Sequence, residues 1–326
     1  MPSAAGESDM QIIAHGGAGS PPDEPADRQA VLEEAVDCGA ERSDPVDAVC
    51  AAIRVLEVDP SFNAGVGGAV QSDGVVRTDA GLMTAAGDVG AAGAMPGVCH
   101  AVEVARAVMT ETPHVMLAGE RAVSFAQAVD VETGIDLWTE RTRERWAETN
   151  PPTDDPDAHL QWVRDTFGSD DAAGPETVDG RADVGDGADA DVADSDARRT
   201  AGPHDHDTVG AVARDGDEIA AATSTGGRWA ALSGRVGDVP QVGAGFYASP
   251  AGGASATGTG EDIAREGLAR RAVALLEQGA DAETAARLSI DEFDRAASGD
   301  AGIIVVDSDG GTGQAFNSPA MQSATQ

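Results

Sequence analysis

The chain predicts an α+β fold built on largely antiparallel sheet. Short apolar runs come in pairs around turn residues, as in TVGAVA and EIAAATS around Asp215-Gly216 and in AGIIVV and the segment after Asp309-Gly310. Helix-spaced segments also come in pairs, and regular strand–helix–strand alternation is missing.

Each element has its own signal. In MQIIAHGGAGS, Ile12 and Ile13 form a strand that runs into a glycine turn at Gly16, Gly17 and Gly19. No Lys follows and the GxGxxG spacing is absent, so that turn speaks for tight backbone packing rather than phosphate binding. Between Glu24 and Glu57, apolar residues recur at helical spacing, with Val31, Ala35 and Val36 before the break and Val46, Val49, Ile53 and Leu56 after it. Asp44-Pro45 divides them into two helices, with Asp44 as N-cap and Pro45 at the first helical position. Glycine-rich hairpin strands are expected from Leu56 to Met95, then helices over Val102–Met109 and Ala118–Val129. The polar stretch from Thr139 to Phe167 holds a helix or two, anchored by Trp138, Trp146 and Trp162. Residues 168–203 are dominated by Asp, Gly and Ala and read as an acidic mobile linker. A Gly-rich loop follows the Thr208–Ser224 hairpin, then one helix after TGTGE and another over Glu283–Ala296.

Composition narrows the function. The 326 residues carry a net charge of −36, and all 21 basic residues are Arg. Such a surface suits concentrated salt, where screening shrinks to a few ångströms and self-repulsion is tolerated. We expect a halophilic cytoplasm and no nucleic-acid partner, because a phosphate backbone would be repelled. No stretch reaches the length of a membrane span, and MPSAAGESDMQ has neither the basic nor the apolar part of a leader. Cys38, Cys50 and Cys99 match neither a zinc nor a disulfide pattern and are expected as buried free thiols.

The junction Asp207-Thr208 carries the most chemistry. An acidic, turn-forming run ends there, and Thr208 opens an apolar strand. If that bond is cut, Thr208 gains an α-amine beside its own hydroxyl, which places nucleophile and base in one residue. Taken alone, it is also what a β-branched residue at a strand start looks like. Nearby, GRVGD offers Arg235 and Asp238, a planar fork suited to a carboxylate and an acid suited to an ammonium, or else a loop salt bridge.

Several ordered motifs together resemble the plant-type L-asparaginases and isoaspartyl peptidases of the N-terminal nucleophile hydrolases. They are AHGGAG, FNAGVG, PHVMLAGE, DTVGAVARDGDEIAAATSTGG, GRVGD, GAGFYA and TGTGE. The likeness fades in the N-terminal tail, the linker and the C-terminus. It implies a four-layer αββα sandwich formed by one domain over residues 1–326. The resemblance also implies self-cleavage between Asp207 and Thr208 into subunits 1–207 and 208–326, and a dimer of such heterodimers. In the implied cut, the Thr208 hydroxyl attacks the preceding carbonyl, an N-to-O shift gives an ester, and water releases the new N-terminus. The freed α-amine, with a reference pKa of about 7.7–8.0, then accepts the hydroxyl proton near neutral pH.

The resemblance assigns the remaining roles. Thr225 orients the nucleophile, and Asn63 helps hold the site. Arg235 and Asp238 grip the α-carboxylate and α-ammonium of an aspartyl substrate, assisted by the carbonyl of Gly260. Thr257 and Gly258 form the oxyanion hole. The main-chain carbonyls of Leu56, Glu57, Asp59, Phe62, Ala64 and Val66 match a loop that binds a structural sodium ion in several relatives; catalysis itself needs no cofactor. His15 reads as a packed strand-end residue, and His204 and His206 as linker residues that modulate cleavage.

The expected substrate is the side-chain amide of L-asparagine or a β-aspartyl dipeptide. Asp207 at the cleavage site resembles the glycosylasparaginase and taspase branches, which leaves those specificities as an alternative. A non-enzymatic acidic module that buffers cations through Asp183 to Asp196 is the reading from a different class.

Overall fold

A computed structural model describes residues 10–149, 151–153, 155–167 and 208–326. Asp207, the segment 168–203, His204 and His206 lie outside the described residues.

The described chain is mixed α/β, with two sheets. The larger has seven strands in the order β11-β1-β5-β6-β2-β3-β4. They are β1 (Gln11–Gly19), β2 (Arg77–Thr84), β3 (Val89–Pro96), β4 (Met116–Ala118), β5 (Val209–Asp215), β6 (Glu218–Thr225) and β11 (Ala320–Thr325). All neighbours are antiparallel except β3 and β4. The smaller sheet is antiparallel in the order β10-β9-β8-β7, from β7 (Phe246–Ser249), β8 (Gly252–Gly258), β9 (Ala301–Asp307) and β10 (Thr312–Phe316).

Period-two alternation decides what each strand buries. Ile12 packs against α1 (Pro25–Ala40) and α2 (Pro45–Val58), in a core with Leu32, Ile53, Leu56 and Leu82. Ile13 points the other way, into a core shared by both sheets with Val212, Ile219, Phe246 and Ile304. Ile303, next to Ile304, turns instead to Leu268, Val273, Ile290 and Phe293 of α8 (Leu268–Glu277) and α9 (Ala282–Ala296). Small residues set the closeness of the two sheets. A Cβ on Gly81 would strike the Phe246 ring, and one on Gly253 would come within 2.8 Å of Val212 Cγ1.

Most local signals match the observed elements. Asp44 caps α2, its Oδ1 accepting from Val46 N at 2.8 Å and Asp47 N at 3.1 Å. Helices α3 (Ala101–Glu111) and α4 (Gly119–Ala128) occupy the expected stretches, as do α5 (Glu140–Thr149) and α6 (Pro156–Phe167). The three expected tryptophan anchors pack around Trp229; Trp138 and Trp146 meet edge to face at 6.2 Å, and Trp146 meets Trp229 at 6.5 Å.

Two expected elements are corrected. The single helix after TGTGE is two, α7 (Gly260–Glu266) and α8, because Gly267 takes a left-handed φ of 64°. The glycine-rich segment before it contains β7 and β8, whose small residues fit between the larger sheet and the helices. The C-terminal segment is the edge strand β11, paired with β1. All three cysteines are free, and Cys38 is only half-buried while Cys50 and Cys99 are buried. Among the described residues, no helix is long and apolar enough to cross a membrane.

Candidate active site

The β5–β6 hairpin builds the centre of the site. Its two-residue turn fixes a register in which Val209 lies opposite Ser224, and so brings Thr208 beside Thr225. Thr208 is 6 % exposed, and its hydroxyl donates to Thr225 Oγ1 at 3.2 Å. Thr225 Oγ1 accepts from Gly227 N at 3.1 Å and reaches the Asn63 carbonyl at 3.4 Å.

Asn63 braces the turn behind Thr225. Its Nδ2 donates to the Gly227 carbonyl at 2.7 Å, its Oδ1 accepts from Ala69 N at 2.8 Å, and its own carbonyl accepts from Gly226 N at 2.8 Å. A side chain at Gly226 would collide with Gly68 and approach Asn63 Oδ1 to 2.7 Å, so glycine is required for this approach.

Thr208, Thr225, Arg235, Asp238, Gly258 and Gly260 line one small pocket together with Gly227 and Arg228. A Cβ on Gly260 would lie 2.5 Å from Asp238 Oδ1 and 2.8 Å from Arg235 Nη2, so both charged groups converge on that glycine. Arg235 Nε and Nη2 both reach Glu261 Oε1 at 2.9 Å, which leaves Nη1 on the other edge of the fork. Burial opposes the Arg235 charge, but Glu261, Asp238 and Asp79 outweigh it and hold the guanidinium protonated. Asp238 is 5 % exposed, and its Oδ2 has no hydrogen-bond partner in the protein. Burial pushes its carboxyl up to about 7 despite the attraction of Arg235. An uncompensated buried carboxylate beside a buried guanidinium suits a ligand that carries both an ammonium and a carboxylate.

Thr257 precedes Gly258, the last residue of β8, and does not itself line the pocket. It is fully buried, and its hydroxyl accepts from Ala18 N of the N-terminal glycine segment at 3.4 Å. Gly258 has a φ of +133°, and a Cβ there would collide with the Asp300 carbonyl. Beneath Thr208 runs a buried polar chain: His15 Nε2 meets Ser255 Oγ at 3.0 Å, Ser255 meets Thr223 at 2.7 Å, and Thr223 donates to the Gly245 carbonyl at 2.8 Å. Burial lowers the His15 pKa to about 3, opposed only by a loose contact with the Thr208 backbone that falls short of hydrogen-bond geometry. His15 is therefore neutral at working pH, and Gly210 makes room for its ring.

The expected cation loop can be tested on its carbonyls. Leu56 sits one turn before Pro60, which has no N–H, so the helical hydrogen bond to the Leu56 carbonyl cannot form. The Asp59 carbonyl accepts one bond, from Phe62 N at 3.3 Å. The Glu57 carbonyl already accepts two, from Val66 N at 2.8 Å and Cys99 Sγ at 3.4 Å. Of the six carbonyls, that of Glu57 is therefore the least available to a cation.

Two acids contribute that the sequence motifs do not reveal. Asp79 lies opposite Thr225 on β2, and its Oδ1 accepts from Ala94 N at 2.6 Å while it faces Arg235. The Glu57 side chain is buried, accepting from Ser224 Oγ at 2.7 Å and Val102 N at 3.0 Å, with His100 Nδ1 at 3.3 Å. The signal for Asp79 is a lone carboxylate inside the apolar run TDAGLM. For Glu57 it is an acid that closes the apolar helix VCAAIRVLEV. Larger clefts between α1, α2 and α3 and beside α8 share no lining residue with the Thr208 pocket.

A sequence profile of the family described as asparaginase matches residues 8–326. The plant-type L-asparaginase of Pyrococcus abyssi is 36 % identical over 322 residues, 97 % of this chain and 95 % of that protein. The plant-type L-asparaginase of Pyrobaculum calidifontis is 37 % identical over 95 % of this chain and 94 % of its own length. The isoaspartyl peptidase/L-asparaginase of Bos taurus is 34 % identical over 81 % of this chain and 74 % of its own length.

Proposed function

The chain belongs to the asparaginase family, and from that premise we propose that it is a threonine-dependent amidohydrolase acting on L-asparagine and β-aspartyl dipeptides. The observation that carries this reading is the shared pocket of Thr208, Arg235 and Asp238, in which Asp238 Oδ2 has no protein partner.

In this reading the Asp207–Thr208 bond is cut first, and the α-amine of Thr208 becomes the base. Arg235 receives the substrate α-carboxylate, and Asp238 receives the α-ammonium, joined by the Gly260 carbonyl. The Thr208 hydroxyl attacks the side-chain carbonyl while the α-amine takes its proton. Thr225, 3.2 Å from Thr208 Oγ1, orients that hydroxyl. Gly258 N and the Thr257 hydroxyl stabilise the oxyanion, a contribution of typically a few kcal/mol. The α-amine then protonates the departing ammonia or amine. Water hydrolyses the β-aspartyl ester, releasing L-aspartate and restoring Thr208.

The same premise extends to architecture. Two sheets that share a core, with helical cores on their far faces, support an αββα sandwich formed by one domain and cut into 1–207 and 208–326. A sodium ion on the carbonyls of Leu56, Asp59, Phe62, Ala64 and Val66 would brace the turn that carries Asn63, with no part in the chemistry. A dimer of heterodimers rests on the family resemblance, and light scattering tests it. The net charge of −36 supports work in the salt-rich cytoplasm of a halophile.

Intact mass after purification in concentrated salt tests the core of the proposal. Two fragments, starting at Met1 and Thr208, are expected together with release of aspartate from L-asparagine and β-Asp-Leu. Thr208→Ala is expected to abolish both cleavage and turnover; surviving turnover rules the reading out.

A further inference from the structure

The pocket holds a second cation to which the mechanism assigns no task. Arg228 lines it beside Thr208 and Arg235. Its side chain is 32 % exposed, and its only ion pair among the described residues is a long one, Nη1 to Glu261 Oε2 at 3.5 Å. Glu261 is committed through its other oxygen to Arg235 at 2.9 Å, so Arg228 keeps most of its donors for something else. The guanidinium is steadied from another side, lying over the Phe167 ring at 4.7 Å.

Counting charges on the substrates decides what that something is. The aspartyl half of any substrate presents one α-carboxylate and one α-ammonium, which Arg235 and Asp238 match. Free asparagine has no further charge. A β-aspartyl dipeptide has one more, the carboxylate of the leaving amino acid, which lies a few bonds beyond the amide that Thr208 attacks. A partly exposed, stacked Arg next to the nucleophile matches that third charge in sign and in planar geometry.

We propose that Arg228 binds the carboxylate of the leaving amino acid and so selects β-aspartyl dipeptides with a free C-terminus. This specificity rests on the functional reading above. Arg228 touches neither the scissile amide nor the proton path, so its effect falls on the leaving-group side of the substrate.

The test compares β-Asp-Leu with its C-terminal amide, which differ only in that carboxylate, with L-asparagine as the control. In the wild-type protein, kcat/KM for the acid should exceed that for the amide by about 10- to 100-fold, as expected for one charge-assisted hydrogen-bonded pair. Arg228→Met should bring that ratio near one, with the loss mainly in KM, and Arg228→Lys should restore part of it. If Arg228→Met fails to mature, as read by intact mass, the wild-type ratio alone decides. Equal rates on acid and amide, or a ratio that survives in Arg228→Met, overturn the proposal while asparagine turnover leaves the functional reading standing. No turnover of any of the three overturns both.

Discussion

Asp79 lies directly across the β2–β6 ladder from Thr225, the residue that holds the Thr208 hydroxyl. Its carboxylate accepts from Ala94 N at 2.6 Å, where Ala94 adopts a left-handed φ of 53°, and it is further supported by the Gly237 backbone. One buried side chain on β2, the neighbour of the Thr225 strand, thus reaches the loop that carries Arg235 and Asp238. It is a positioning residue, touching the clamp rather than the substrate.

Asp79→Asn keeps the shape but removes the charge facing Arg235 and alters the bond to Ala94. We expect KM for L-asparagine to rise about 10-fold with a smaller change in kcat, because the loss falls on binding geometry rather than on the Thr208–Thr225 pair. Steady-state kinetics on mature enzyme separate the two constants. A fall confined to kcat would contradict the role.

Substrate binding should depend on pH through Asp238. Burial holds its carboxyl at about 7, and only the ionised form can meet an ammonium. KM is therefore expected to fall as pH rises through about 7. The α-amine of Thr208 adds a limb at about 7.7–8.0 in kcat. A KM that is flat between pH 5.5 and pH 8.5, about 1.5 units to either side of the Asp238 value, would remove Asp238 from the ammonium site.

The same burial makes Asp238 costly to the fold. Its carboxyl rises from 3.8 unfolded to about 7 folded, so across that window the folded state holds the extra proton and stability falls as pH increases. Asp238→Asn should raise the melting temperature above pH 7, on the order of 2 kcal/mol of stability, while losing substrate binding. The gain should vanish below about pH 3, where both states are protonated. Thermal denaturation at the two pH values checks the sign.

Gly260→Ala would place a methyl carbon 2.5 Å from Asp238 Oδ1 and 2.8 Å from Arg235 Nη2. Gly260 opens α7 and has no left-handed backbone, so Ala is tolerated by the helix and the clash falls on the clamp. We expect KM to increase at least about 10-fold with melting temperature nearly unchanged, since the affected groups serve ligand binding rather than the core. A large drop in melting temperature with an unaltered KM would place the clash elsewhere.

The sequence by itself determined the local elements and the chemistry of the candidate residues. Asp44-Pro45 starts α2 through an interaction only two or three residues long. Alternation around Asp215-Gly216 brings Thr208 and Thr225 onto neighbouring strands, because a two-residue turn leaves one register that buries both apolar faces. Arg235 and Asp238 are legible because a planar guanidinium suits a carboxylate and an acid suits an ammonium before any fold is known, whereas Gly258 and Gly260 are placed only by the family resemblance.

Contacts between distant segments were decided only by the tertiary structure. Strand β11 is recognisable only once β1 offers it an edge, and β8 only once two layers leave room for small residues alone. Asp79, Glu57 and His15 carry only faint local marks, an acid in an apolar run, an acid closing an apolar helix and an imidazole at a strand end, and none of these names a partner. Their roles come from desolvation and from partners 15, 167 and 240 positions away, Ala94, Ser224 and Ser255. Local sequence encodes short-range hydrogen bonding and periodicity, whereas burial and long-range electrostatics exist only after the sheets have stacked.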